Sequence, residues 1–236
     1  MAGFHRATRP PAIAATEELT DMDASQKPTL IFDLDGTLSD PSPGFIRCFN
    51  EALALHDLPP AAPQELIRWI GPPIENTFRA FAPATDEAGI TRLIIDYRAR
   101  YAEYGFSGNI IYSGIPELLH QLSAADFDLG VCSSKRTDFV EKILHQFGIH
   151  HCFRFINGGD IGIEKTQQLR SLLDDGEIDQ SAVMIGDRRM DVTAAKNNEL
   201  KSVGVLWGFG DREELEVAGA DVIVDSVSEL AELLLT

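Results

Sequence analysis

Acidic side chains follow two apolar runs of this sequence in closely spaced pairs. Asp33 and Asp35 are two residues apart after one run, and Asp187 and Asp191 follow another. Carboxylates that lie close together repel one another, so several can stay ionised only beside a counter-charge. A divalent cation supplies that charge, and hard oxygen ligands favour Mg²⁺. In such a group one carboxylate could act as a nucleophile while a second transfers protons.

Two further groups could bind an anion beside these carboxylates. Ser133 and Ser134 follow a third apolar run, and Lys165 opens a predicted helix. Lys135 is an alternative source of the positive charge. The segment 33–36 (DLDG) could also be no more than a polar turn after a strand. The chemistry therefore depends on whether the fold brings these separate groups together.

The elements that would position these groups are short apolar runs separated by helical patterns. The predicted strands are residues 29–33, 128–133, 154–157, 182–185, 202–206 and 221–224. Strands that alternate with helices favour a parallel sheet, so the predicted class is α/β. Ligands of such sheets bind beyond the carboxyl ends of the strands. We therefore expect the acidic, hydroxyl and ammonium groups to meet at one edge of the sheet.

The alternation of strands and helices is absent between residues 40 and 111, where apolar residues recur at helical spacing. We expect an all-helical cap at residues 41–111, inserted into an α/β core of residues 28–40 and 112–236. Residues 1–27 are expected to form a mobile N-terminal extension. This arrangement would place a lid beside the predicted site.

Composition restricts the class of protein further. The 236 residues include 20 Lys and Arg against 37 Asp and Glu, a net charge of −17 that disfavours binding to nucleic acid. The longest stretch without a charged side chain, residues 104–116, is too short to cross a membrane. Three cysteines, Cys48, Cys132 and Cys152, form no CxxC pair and have no histidine at zinc spacing, so we expect a reducing, cytoplasmic setting. Either a monomer or a homodimer is compatible with the sequence.

The four motifs, taken in order, resemble those of the haloacid dehalogenase superfamily of phosphohydrolases. The matching segments are 31–38 (IFDLDGTL), 131–135 (VCSSK), Lys165, and 185–187 (IGD) with Asp191. The helical insert, the turn at 70–73 (IGPP) and the stretch 204–208 (GVLWG) resemble the phosphoglycolate phosphatase-like branch. The resemblance implies a Rossmann-like parallel-sheet core with an inserted helical cap.

The resemblance also implies a role for each matching residue. Asp33 would be the nucleophile that forms an aspartyl-phosphate, and Asp35 would protonate the leaving alcohol and then deprotonate water. Ser133 and Lys165 would hold the phosphoryl oxygens. Both residues are therefore candidate catalytic and substrate-binding groups.

The implied metal and substrate contacts extend this set. Mg²⁺ would be bound by Asp33, the backbone carbonyl of Asp35, Asp187 and Asp191. Ser134 and Gly36 would complete the substrate-binding region. Thr166 stands where many members carry proline, and Ser133-Ser134 replaces the more usual Thr-Asn.

The expected function is a Mg²⁺-dependent phosphatase acting on a small phosphomonoester, with phosphoglycolate the first candidate. A nucleoside monophosphate is the next candidate, and a phosphomutase would use the same residues. An alternative of a different class is a catalytically silent protein that binds a phosphorylated metabolite. The two departures from the common motifs leave the reaction unchanged and weaken the assignment of a substrate.

Overall fold

A computed structural model describes residues 27–159 and 162–235 of the chain. The N-terminal extension predicted at residues 1–27 lies outside the described residues, except for Lys27. None of the helices in the described part is long and apolar enough to cross a membrane.

Eight strands are present in the described residues, and six of them form one sheet. They are β1 (Leu30–Phe32), β2 (Ser39–Asp40), β3 (Ile110–Ile111), β4 (Leu129–Arg136), β5 (Phe155–Gly159), β6 (Val183–Gly186), β7 (Lys201–Val205) and β8 (Val222–Val224). The main sheet has the order β5-β4-β1-β6-β7-β8, and every neighbouring pair is parallel. The predicted α/β class and all six predicted strands are confirmed.

Ten α-helices connect and cover these strands within the described residues. They are α1 (Ser42–Leu55), α2 (Pro63–Leu66), α3 (Ile74–Phe81), α4 (Glu87–Glu103), α5 (Ile115–Ala124), α6 (Thr137–Gln146), α7 (Lys165–Asp174), α8 (Arg189–Asn197), α9 (Arg212–Ala218) and α10 (Val227–Leu235). Short 3₁₀ turns occupy Ile67–Trp69, Gly105–Gly108 and His150–Cys152. Helices α3 and α10 were not predicted from the apolar spacing.

Apolar side chains of the sheet pack into layers on both of its faces. Leu30 and Phe32 of β1 belong to one buried cluster, whereas Ile31 belongs to a second cluster with Met184 and Leu169. Successive side chains of a strand point to opposite faces, so a strand covered on both sides must be apolar throughout. This explains why the run before Asp33 is continuous rather than alternating.

The segment between β2 and β3 is built from helices α1 to α4 and is called the helical insert below. β2 and β3 pair antiparallel, with Ser39 opposite Ile111, so the chain leaves and re-enters the core side by side. The insert has its own apolar cluster, in which the rings of Phe49 and Phe78 stack at 4.4 Å. These features support the predicted division into core and cap. The residue numbers at which the predicted cap begins and ends stay a prediction.

Candidate active site

The ends of two neighbouring strands bring the first and fourth motifs together. Asp33 directly follows β1 and Asp187 directly follows β6, and these strands pair in parallel in the middle of the sheet. Asp191 lies in the first turn of α8. Asp33, Asp187 and Asp191 are all buried, and carboxylate oxygens of the three residues lie within 4.8 Å of one another. We call this group the carboxylate cluster.

Lys165 supplies a positive charge inside the carboxylate cluster. Its Nζ lies 3.1 Å from Oδ1 of Asp33 and also donates to Oδ1 of Asp191. Burial disfavours the charged ammonium, but attraction to Asp191 and Asp33 outweighs it and raises the pKa of Lys165. The side chain is therefore a fixed, permanently charged cation.

One ammonium does not balance three buried carboxylates. Burial raises the pKa of Asp187 well above its usual value, and repulsion by Asp191 and Asp33 adds to the effect. Burial also raises the pKa of Asp191, although Lys165 opposes it. A divalent cation would remove this imbalance, and the available donors are hard carboxylate oxygens. The residues present therefore fit a divalent metal ion.

Backbone and hydroxyl donors hold Asp187 in place. The amide of Phe209 donates to its Oδ2 at 2.7 Å, and Thr37 Oγ1 lies 3.5 Å from its Oδ1. Gly36 has a φ of +85°, and a Cβ at this position would overlap the carboxylate of Asp187. Glycine is required here because the turn after β1 passes directly over that side chain. Gly36 thus shapes the cluster, and its predicted contact with substrate stays a prediction.

Asp35 is held by a second ammonium, that of Lys135. Nζ of Lys135 lies 2.6 Å from Oδ2 of Asp35 and donates to the hydroxyl of Tyr101 at 2.9 Å. Tyr101 is a buried residue of α4, so the helical insert takes part in this contact. Among the described residues Oδ1 of Asp35 has no hydrogen-bond partner, although it is buried. One oxygen of Asp35 is therefore anchored and the other is available.

From the sequence, Lys135 is only an alternative to Lys165 as the source of the positive charge. The structure pairs the two lysines with different aspartates: Lys165 contacts Asp33 and Asp191, and Lys135 contacts Asp35. Burial raises the pKa of Asp35, and Lys135 acts in the opposite direction. The position of Lys135 two residues after Ser133 indicates that it could lie in the active site. Nothing in the sequence indicates that Tyr101 lies there.

The hydroxyl motif lies at the end of β4, beside β1. Ser133 is buried, and its Oγ accepts a hydrogen bond from the backbone amide of Lys135 at 3.3 Å. Gln168 of α7 donates to the carbonyl oxygen of Ser133 at 3.1 Å. Ser134 Oγ contacts Sδ of Met190 at 3.8 Å. Ser133 thus lies at the same edge of the sheet as Asp33, whereas Ser134 contacts the first turn of α8, which follows the loop of the fourth motif.

Arg188 connects this loop to the helical insert, a contact that sequence reasoning missed. Its Nη1 donates to the carbonyl oxygen of Ile70, and its Nε lies 2.9 Å from Oε1 of Glu214. Gly71, with a φ of +111°, packs closely against the side chain of Arg188. The turn at Ile70 and Gly71 is therefore fastened directly beside Asp187.

Comparison with known proteins gives the same class as the fold and the carboxylate cluster. Residues 30–205 match the model of the family described as haloacid dehalogenase-like hydrolase. A solved structure described as a predicted phosphatase from Clostridium acetobutylicum is 36% identical, with a TM-score of 0.83, over 89% of this chain and 99% of that one.

Curated relatives with different names are similar over most of the chain. A 5′-nucleotidase of Pseudomonas aeruginosa is 35% identical over 81% of this chain and 88% of its own length. Tyrosine-protein kinase PtkA of Mycobacterium tuberculosis is 32% identical over 87% of this chain and 72% of its own length. A phosphoglycolate phosphatase of Salmonella typhimurium is 29% identical over 84% of this chain and 89% of its own length.

The chain belongs to the haloacid dehalogenase-like hydrolase family. Within that family it is a phosphoric monoester hydrolase, as its phosphatase-named relatives indicate. The family predicted from the four motifs is confirmed.

Proposed function

We propose that this protein is a Mg²⁺-dependent phosphatase that hydrolyses a small phosphomonoester through an aspartyl-phosphate on Asp33. The observation that carries the proposal is the meeting of Asp33, Asp187 and Asp191 around Lys165 at the carboxyl edge of the sheet. Members of the family generally use a divalent metal ion, and oxygen-only donors favour Mg²⁺. Asp33, Asp187, Asp191 and the backbone carbonyl of Asp35 would hold the ion, which would neutralise charge on the phosphoryl group.

Asp33 is oriented for attack by contacts on one of its oxygens. The amide of Leu34 donates to Oδ1 at 2.7 Å, and Lys165 lies 3.1 Å from the same atom. These contacts restrict rotation of the carboxylate, which favours a near-attack geometry. Attack on phosphorus forms an O–P bond to Asp33 and breaks the bond to the leaving alcohol. Lys165 and Ser133 would hold the phosphoryl oxygens during this transfer.

Asp35 would transfer protons through its free oxygen. Lys135 anchors Oδ2, so Oδ1 is the atom left to protonate the leaving alcohol and later to take a proton from water. Tyr101 keeps Lys135 in position from the side of the insert. The anchor thus leaves one defined oxygen of Asp35 without a hydrogen-bond partner among the described residues.

The test uses p-nitrophenyl phosphate with wild type and Asp33→Asn, each with Mg²⁺ and with chelator. We expect turnover only in wild type with Mg²⁺, because the variant lacks the nucleophile and chelation removes the cation. Asp174→Asn is a matched control, since Asp174 is an exposed residue paired with Arg170. Equal rates in wild type and Asp33→Asn would defeat the proposal.

A second variant tests the two-step reaction. Asp35→Asn is expected to slow hydrolysis of the aspartyl-phosphate, so that intact mass measured after substrate addition shows a phosphorylated chain. Introducing Asp33→Asn into this variant should remove the added mass. Phosphorylation that persists in the double variant would place the phosphoryl group elsewhere.

The substrate is the finer part of the proposal, and two candidates have support. A relative named phosphoglycolate phosphatase supports phosphoglycolate, and a relative named 5′-nucleotidase supports a nucleoside monophosphate. A panel of phosphomonoesters containing both, read as kcat/KM for phosphate release, would rank them. Phosphate release without a bisphosphate activator would separate hydrolysis from a mutase reaction. A cytoplasmic location and a monomeric or homodimeric state stay predictions.

A further inference from the structure

A second group of metal-binding side chains lies outside the active site. Four of the six histidines of the chain, together with Cys152, lie around the turn before β5. The rings of His145 and His150 stack at 3.9 Å, and the rings of His120 and His151 are 6.0 Å apart. Histidines are the commonest metal ligands among side chains, so such a concentration is a candidate site.

Three of these residues have the separations that one ion requires. Ligand atoms of His120, His151 and Cys152 lie within 4.8 Å of one another, and Sγ of Cys152 is 3.7 Å from Nε2 of His151. In a tetrahedral zinc site, bonds of about 2.3 Å to sulfur and about 2.0 Å to nitrogen place the two ligand atoms about 3.5 Å apart. The observed separation therefore needs only a small side-chain adjustment.

We propose that His120, His151 and Cys152 bind Zn²⁺, at a site separate from the carboxylate cluster. Thiolate and imidazole are softer ligands than carboxylate, and this combination favours Zn²⁺ over Mg²⁺. Both histidines are exposed and the cysteine is partly exposed, so the ion can enter from solvent. Binding transfers the thiol proton of Cys152 to solvent and forms a zinc–sulfur bond.

The bound ion would cross-link two parts of the core. His120 lies on α5, whereas His151 and Cys152 lie in the 3₁₀ turn that precedes β5. β5 is an edge strand of the main sheet. Zn²⁺ would thus fasten the segment leading into that edge to a neighbouring helix, and it should stabilise the folded chain because the unfolded chain lacks the arrangement.

The test is a Co²⁺ titration of the full chain under reducing conditions with Mg²⁺ in excess. A cobalt–thiolate charge-transfer band is expected in wild type, and the band should disappear when Zn²⁺ displaces Co²⁺. The carboxylate cluster contains no sulfur, and Cys48 and Cys132 are buried, so the band reports on Cys152.

Variants assign the ligands individually. Cys152→Ser should lose the band, and His120→Gln or His151→Gln should bind Co²⁺ at least about tenfold more weakly. His145→Gln is the matched control from the same region and should bind as wild type does. A band that is absent from wild type, that survives in Cys152→Ser, or that weakens equally in His145→Gln would overturn the proposal.

A measurement of Tm shows whether Cys152→Ser loses the metal because it lacks the ligand or because it is misfolded. With Mg²⁺ in excess to occupy the carboxylate cluster, Zn²⁺ should raise the Tm of wild type by more than that of Cys152→Ser, while the two proteins have the same Tm without Zn²⁺. Equal Zn²⁺-induced shifts in both proteins would overturn the proposal. Because phosphatase activity is not measured, the result does not depend on the proposed function.

Discussion

The carboxylate cluster and the group formed by His120, His151 and Cys152 are alike in size and opposite in environment. In each, three ligand atoms lie within 4.8 Å of one another. The carboxylates are buried and repel one another, so the fold must supply Lys165 and leave room for a cation. The two histidines are exposed, and water solvates them without any counter-charge. Burial, more than ligand spacing, therefore decides whether a cluster strains the fold while no metal is bound.

The strongest test of this difference removes the buried ammonium of Lys165. Lys165→Met should lower turnover by about 10²–10³-fold, because the transferring phosphoryl group loses a fixed positive charge. The free energy of unfolding measured by denaturant should fall by about 3–5 kcal/mol without metal, because buried carboxylates lose their partner. Mg²⁺ should restore part of this loss.

Lys142→Met is the control for that variant. Lys142 is exposed and lies against the rings of Phe106 and Phe139 rather than beside a carboxylate of the cluster. Its replacement should leave turnover near that of wild type. Suppose that Lys165→Met kept turnover within tenfold of wild type and the same free energy of unfolding. The carboxylate cluster would then not need the ammonium of Lys165.

The next test removes one buried charge. Because the pKa of Asp187 is raised in the folded chain, the metal-free protein loses stability as the pH rises from the usual aspartate value of 3.8 through the raised folded value. Asp187→Asn lacks this loss, so at pH 7 it should be more stable than wild type by about 1–3 kcal/mol without metal. Denaturant unfolding across pH measures the difference.

Two features of the result distinguish charge from packing. The greater stability of Asp187→Asn should disappear below about pH 4. There Asp187 of the wild type becomes protonated in the unfolded chain as well as in the folded chain. Added Mg²⁺ should then stabilise wild type more than the variant. An advantage that is independent of pH would show that the carboxylate does not cause the effect.

The smallest effect is expected at the exposed group. Without metal, Cys152→Ser should change the free energy of unfolding by no more than about 0.5 kcal/mol, because a partly exposed thiol contributes little by itself. The same denaturant experiment measures it. A loss as large as that predicted for Lys165→Met would show that Cys152 has a packing role and would remove the contrast between the two clusters.

The sequence predicted features that follow from local periodicity. The six parallel strands came from apolar runs, and their shared direction places Asp33 and Asp187 at one edge. Helix α3 was missed because it has only eight residues and follows two prolines. The roles of Asp33, Asp35, Ser133 and Lys165 stay predictions until the variants are measured.

Contacts between distant segments could not be predicted in the same way. Tyr101 reaches Lys135 across 34 positions, from a helix of the insert to a strand end of the core. His120 and His151 are on separate elements whose approach depends on how α5 packs. The apolar periodicity of the sequence does not indicate which residues of separate elements come into contact, because tertiary packing determines those contacts.

The contact of Tyr101 with Lys135 has a consequence for protein engineering. The anchoring of Asp35 is shared between the core and the insert, since the hydroxyl that holds Lys135 comes from α4. A chimaera that receives the insert of another family member inherits that member's residue at this position. Such a transplant would alter the chemistry of the recipient as well as its choice of substrate, unless the grafted helix carries a tyrosine that reaches the same lysine.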